Sequence, residues 1–371
     1  MSDTVTAVRD RSADARTPIC PFDLHLDVVA GMVNLEIADD PHYDGMEIQR
    51  FDDPTHGRGL VVLLSRRGDG RVDVYHQPGV RVDPTAYRIG GGLGAWVGTT
   101  IDPARFEITD TGVAVDVAFT DAAGRAIDVR LDDRGRRRRR RGAFLAPMGA
   151  AVQHPTALPL VWMSRFDLLR RRRHAPSIRV DGREVHPGRL PMAWLHRRHL
   201  IKCAEDLCVV SVNTARHGPA DPTGPDHAAV TRTRTDGGLV AVTTTRDAHR
   251  ARLRLTPPLP DLDAAPAGAA IRGTWTLDID GHAGIVGGGW SAVKQTTTVD
   301  LVVDVTRPWR PTRLPPLMRA VTTAMPLFRT WPTTYRWTAT VATGEDPTIT
   351  SRWQRTDDQR GQAYRRFTGS T

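Results

Sequence analysis

Apolar and polar residues alternate with a period of two along "TGVAVDVAFTDAAGRAIDVRL", residues 111–131, and no other feature constrains the fold as strongly. Val113, Val115, Val117 and Phe119 point one way, Asp121 to Gly124 turn the chain, and Ile127, Val129 and Leu131 resume the pattern. A helix cannot keep such a set on one face, whereas a strand places every second side chain on the same side, so the segment predicts a hairpin with one buried face. The pattern returns in "IRGTWTLDIDG", with Ile271, Trp275, Leu277 and Ile279 inward, and in "TTYRWTATV", with Tyr335, Trp337, Ala339 and Val341 on one side. Asp-Gly steps at Asp69, Asp181, Asp236 and Asp280 read as the turns between strands. The expected fold class is all-β, built of antiparallel barrel-like or sandwich domains.

Two such domains are expected. Residues 1–18 are polar and charged with no apolar core of a signal peptide, and read as a disordered arm. Residues 19–213 form the first β domain. The stretch 214–238 holds three prolines, four glycines and little periodicity and reads as a linker, and 239–371 form the second β domain. A single short helix is expected after Pro315 and Pro316, where Leu317, Met318, Val321, Met325 and Phe328 share one face until Pro332. Its short apolar face fits core packing.

The net charge of +9 over 371 residues would suggest a polyanion partner if it were spread over a surface. It is not spread. Arg136 to Arg141 and Arg170 to Arg173 together carry ten charges, and without them the balance is −1. Specific nucleic-acid binding is therefore not expected. Six adjacent like charges repel one another, so Arg136 to Arg141 read as a solvated loop that could contact anionic surfaces weakly. Cys20, Cys203 and Cys208 form neither an even disulfide framework nor a zinc spacing, and fit reduced thiols in a cytoplasmic protein, with peripheral membrane contact through the arginines as a variant.

From Gly142 to Ser164, 23 residues carry no formal charge, but Pro147, Pro155 and Pro159 exclude a membrane-spanning helix. The segment reads as buried strands or as the lining of an apolar cavity with His154 as a polar group. Nine tryptophans are present, and Trp96, Trp162, Trp275, Trp290 and Trp337 lie in β contexts, where they fill a core or wall a ligand cavity. The glycine clusters "IGGGLGAW" and "IVGGGWSA" lack the lysine and hydroxyl of a phosphate loop and read as strand kinks. His196 and His199 have neither a glutamate between them nor a third ligand in sequence. None of these patterns calls for a cofactor or a metal. Among the acidic residues of 39–59, Asp44 is the candidate for acid or base work, beside Tyr43 and His42.

"RGTWTLDIDG" carries Gly273-Thr274-Trp275, a Gly-x-Trp at the start of a strand, which looks like the opening signature of lipocalin-type barrels. With its two β-rich halves, its hairpin at 106–131 and the apolar segment that follows, the chain resembles the double-lipocalin group that includes carotenoid hydratases and related hydratase or cyclase proteins. The resemblance implies tandem barrel-like domains around an apolar site for an isoprenoid, polyketide or lipid-like molecule. No catalytic position of that group matches a residue here. The expected function is binding of an apolar small molecule in a cavity lined by Trp96, Trp162, Trp275, Trp290 and Trp337, with hydration, cyclisation or isomerisation catalysed by His154 or Asp44 as proton donor. The alternative is a non-enzymatic protein that docks on anionic membrane or nucleic acid through its arginine runs.

Overall fold

The computed structural model describes residues 18–85, 92–147, 154–169, 175–188, 201–220, 230–311 and 314–356. Almost all the regular structure is strand. The first half of the chain supplies a central sheet from β1 (Leu24–Glu36), β2 (Tyr43–Asp53), β3 (Gly57–Arg66), β4 (Val72–His76), β5 (Leu93–Gly98), β9 (Gly142–Ala146), β10 (Leu158–Leu169) and β13 (Ile201–Val212), in the order β5-β4-β3-β2-β1-β13-β10-β9. A second sheet, β12-β11-β8-β7-β6, is built from β6 (Ala104–Thr109), β7 (Gly112–Thr120), β8 (Ala126–Asp132), β11 (Ser177–Val180) and β12 (Arg183–Val185). The second half gives a nine-stranded sheet from β14 (His217–Pro219), β15 (Val230–Thr235), β16 (Gly238–Arg246), β17 (His249–Leu259), β18 (Ala270–Ile279), β19 (His282–Lys294), β20 (Thr298–Arg307), β21 (Tyr335–Ala342) and β22 (Thr348–Arg355), with β14 and β15 at its two edges. The fold is all-β and sandwich-like, and no sheet closes into a barrel among the described residues. Pairing is antiparallel except for β4 with β5, which is parallel.

The central sheet is covered on both faces. Leu60, Val62 and Leu64 of β3 join Val115, Val117, Val129 and Leu131 in one apolar layer, while Val61 and Leu63 join Val242, Leu253, Trp275 and Leu277 in the other. A strand buried on both sides needs apolar residues at consecutive positions, which is why "LVVLL" in β3 lacks the alternation of the outer sheets. The 111–131 hairpin forms as expected: Val113, Val115, Val117 and Phe119 of β7 and Ile127, Val129 and Leu131 of β8 are all buried. The uncharged segment 142–164 contributes β9 and most of β10, paired at the sheet edge.

The interval expected to be a linker contains β14 and β15, and its residues 221–229 lie outside the described residues. Val230–Thr235, "VTRTRT", alternates threonine with arginine; such β-prone, two-sided polar residues suit an exposed sheet edge. Residues 1–17, the arginines 170–173, and His196 with His199 also lie outside the described residues. The expected single helix is divided into α1 (Pro316–Ala324) and α2 (Leu327–Thr330), followed by a 3-10 turn over Trp331–Thr334. Pro326 has no N–H to continue the helix, so the apolar face is interrupted there.

Candidate functional site

Two hairpin turns of the nine-stranded sheet project titratable side chains towards β13. The first joins β16 to β17 through Asp247 and Ala248, and the second joins β18 to β19 through Asp280 and Gly281. Asp247 and Asp280 take positive φ, 51° and 49°, which aspartate tolerates better than most residues. Each is followed two residues later by histidine, so Asp-Ala-His249 and Asp-Gly-His282 repeat one turn pattern.

Asp280 ties the two hairpins together. Its Oδ1 accepts the backbone N–H of Arg250 at 3.0 Å, and its Oδ2 lies 2.8 Å from Nδ1 of His249. Cys208 of β13 completes the group: one donor atom each from Cys208, His249 and Asp280 lies within 4.8 Å of the other two. The hydrogen bond to Asp280 raises the pKa of His249 against the opposing effect of burial. Burial opposes ionisation of Asp280, yet the bonds from His249 and the Arg250 N–H hold its carboxyl below the ordinary range. Burial, followed by the negative charge of Asp280, pushes the Cys208 thiol well up. Each partner thus favours the charged form of the other, beside a thiol whose ionisation burial opposes, an arrangement suited to giving a proton rather than to thiolate attack. A small cation could bridge the three donor atoms only if the thiol lost its proton, which its surroundings oppose.

Trp162 on β10 is the cross-strand partner of Cys208, and its ring lies 5.0 Å from that of His282. The indole is 2% exposed, and its N–H has no hydrogen-bond partner among the described residues. A second polar group adjoins this one. Asp27 of β1 neighbours Val28, the register partner of Cys208, and binds Arg246 of the first hairpin and, at 3.3 Å, His56. His56 in turn lies 2.9 Å from Asp53. The hydrogen bond to Asp27 raises His56, opposed by burial and supported by Asp53. Burial works against the Asp27 carboxylate, but His25, His56 and Arg246 hold it far below its usual value.

The residues singled out from sequence are dispersed. His154 is exposed. Asp44 is half-buried on β2; burial raises it, partly offset by the charge of Arg67. Trp162, Trp275, Trp290 and Trp337 are at most 2% exposed and packed in the layer between the central and nine-stranded sheets, while Trp96 is half-buried on β5, its ring 5.6 Å from that of His76. Only Trp162 of the five stands beside the Cys208 group. Sequence reasoning took Asp280 solely as a turn residue and passed over His249; the repeated Asp-x-His at two turns of adjoining hairpins was the signal available.

The arginine run is not uniformly solvated. Arg136, Arg137, Arg138 and Arg140 are exposed, but the side chain of Arg139 is buried between sheets. Its Nε donates to the Thr109 carbonyl of β6 at 2.6 Å, and its Nη1 lies 3.5 Å from Asp167 of β10. It also pairs with Glu205 of β13. The loop expectation holds for Arg136, Arg137, Arg138 and Arg140; it fails for Arg139, because the buried Asp167 and half-buried Glu205 draw in a cation, and in part for Arg141, which is half-buried and paired with Asp110 and Glu205.

No helix among the described residues is long and apolar enough to cross a membrane. No protein-family model, curated protein or solved structure matches the chain.

Proposed function

We propose that the protein binds an apolar small molecule of polyketide, isoprenoid or lipid type against the aromatic layer beside Trp162, and that His249 acts on it as a proton donor. The observation that carries this reading is the 2.8 Å His249–Asp280 contact beside Cys208, whose neighbour Trp162 keeps a buried N–H without a partner. A ligand oxygen would satisfy that N–H, and the indole face would favour a developing positive charge. Asp280 holds the imidazole by Nδ1, so Nε2 is the nitrogen that would give its proton.

Protonation of a double bond leaves a carbocation; where the bond is conjugated to a carbonyl, protonation of the carbonyl oxygen leaves a hydroxyallyl cation. Addition of water with return of a proton to His249 then gives hydration, attack by a second double bond followed by loss of a proton from the new cation gives cyclisation, and proton loss from the adjacent carbon gives isomerisation. Imidazolium is a modest acid, so a polarised double bond conjugated to a carbonyl suits it better than an isolated alkene. The chemistry draws on no cofactor.

The test is a titration of tryptophan fluorescence with polyketides, terpenoids and lipids, paired with product analysis. A saturable change in the wild-type chain and in His249→Gln, with turnover only in the wild type, supports both binding and the donor role. No saturable response to any member of the panel overturns the binding reading; equal turnover in His249→Gln overturns the donor assignment.

A further inference from the structure

The geometry points to a binding site for a phosphate- or diphosphate-bearing ligand in the groove beside α1. The groove, about 420 Å³, is lined by Arg310, Pro311, Leu314, Arg319, Thr322, Thr323 and Arg329, and no carboxylate is among them. Its volume falls within the range of small-molecule sites.

Three guanidinium groups converge here without a counter-charge. Arg66 and Arg125 show the contrasting arrangement, each paired with an acid, Asp73 at 2.6 Å and Asp121 at 2.7 Å, while the partly buried Arg50, Arg67 and Arg252 form no ion pair among the described residues but stand apart from one another in sequence and do not line this groove. Arg310, Arg319 and Arg329 form no ion pair among the described residues. Arg319 makes one long hydrogen bond, 3.4 Å to the Leu314 carbonyl, and the Nε of Arg329 is buried with no hydrogen-bond partner. A buried donor left unmade is costly, and like charges facing one groove repel, so the arrangement is stabilised when an anion enters.

The donor set selects the anion. Guanidinium groups present planar forks that match phosphate oxygens, and three forks around one groove suit an anion of more than one charge. Thr323, exposed on the rim, adds a hydroxyl. The groove is also held in place from beneath. The backbone N–H of Trp309 donates to the Arg329 carbonyl at 3.0 Å, and the Trp309 ring packs edge-on against Phe144 at 5.4 Å. Arg329 thus hangs from a fixed point of the core, and Trp309 sits close enough to report binding.

The experiment titrates the full chain with pyrophosphate, following tryptophan fluorescence and heat. Saturable binding is expected, weakened at least about tenfold, or about 1.4 kcal/mol, in Arg319→Gln and in Arg310→Gln. Both side chains are exposed, so neither substitution threatens the fold. Replacing Arg136, Arg137 and Arg138 with serine leaves binding unchanged. Vesicles of phosphatidylcholine doped with phosphatidic acid separate the sources of phosphate: sedimentation with them, lost in Arg319→Gln, assigns a lipid headgroup, while pyrophosphate binding without sedimentation assigns a soluble ligand. The proposal falls if neither probe binds, if binding survives Arg319→Gln and Arg310→Gln intact, or if citrate competes as well as pyrophosphate.

Discussion

The guanidinium of Arg139 stands 3.5 Å from the carboxylate of Asp167, with the two side chains 0% and 2% exposed. Asp167 also accepts the Cys203 thiol at 3.0 Å, and Arg139 reaches back to the Thr109 carbonyl, so one arginine links the five-stranded sheet to two strands of the central sheet. Burial pushes the Asp167 carboxyl up, while Cys203 and Arg139 oppose it.

Arg139→Ala removes the cation from beside the buried Asp167, while the half-buried Glu205 keeps Arg141 and Arg165. Loss of one partner of a buried pair costs about 3–5 kcal/mol, whereas substitution of the exposed Arg137 stays within about 0.5 kcal/mol. Urea denaturation of both variants checks this contrast; equal midpoints would refute the assignment of Arg139 as the structural member of the run.

The arginine run marks where sequence reading stops. Six identical residues have no internal difference, and what distinguishes Arg139 is the arrival of Asp167 and Glu205 from strands β10 and β13, far along the chain. By contrast, β7, β8, β18 and β21 were legible because a strand with one solvent-facing side writes its orientation into the residues. The run of β3 was ambiguous for the opposite reason, since both of its faces are buried. The candidate site follows the same division. Asp280 was visible as a turn residue, but its partnership with Cys208 depends on the packing of one sheet on another, which no local period records.

The His249–Asp280 pair predicts a pH dependence of stability. His249 is raised above its ordinary 6.5 by Asp280, so its contribution is complete below that value and is lost as pH rises through the folded pKa. Asp280 is held below 3.8, so its contribution is present above that value and is lost as pH falls through the folded pKa. Stability at the alkaline end therefore declines, and His56, raised by Asp27, adds to the decline. Urea midpoints from about pH 5 to about pH 9 should fall in the wild type and less steeply in His249→Gln, with the slope flattest in the double variant that also carries His56→Gln. A single variant as steep as the wild type would contradict the pairing.

The thiols make a separate test. Cys20, Cys203 and Cys208 form no disulfide, and each is 0% exposed. Burial raises Cys203 well above its usual value, and Cys208 likewise, so the reactive thiolate is scarce as well as shielded. Native protein should resist iodoacetamide and disulfide reagents at neutral pH, and all three thiols should react in denaturant. Rapid modification of Cys208 in the native chain would overturn this expectation and show that small reagents reach the buried thiol.

The Gly-x-Trp of "RGTWTLDIDG" owes its glycine to a ring on the neighbouring strand. Gly273 pairs with Trp290 of β19, and a methyl group added at Gly273 would lie 2.5 Å from Cε2 of that indole, closer than any real contact permits. The indole is fixed, since its Nε1 donates to the Thr274 carbonyl at 3.2 Å and the side chain is 2% exposed. Trp275 is fixed next to it by a bond from its Nε1 to the Asp304 carbonyl at 3.0 Å. Gly273→Ala therefore forces Trp290 out of its position, at about 1–3 kcal/mol for overpacking. Smaller residues at 290 should relieve the clash but leave a hole: Trp290→Ala alone costs about 3–5 kcal/mol. Adding Gly273→Ala to it should cost little more, because the ring that clashed is gone. A double-mutant cycle by urea denaturation measures this coupling directly. Additive losses would mean that the glycine answers to backbone conformation instead of the ring.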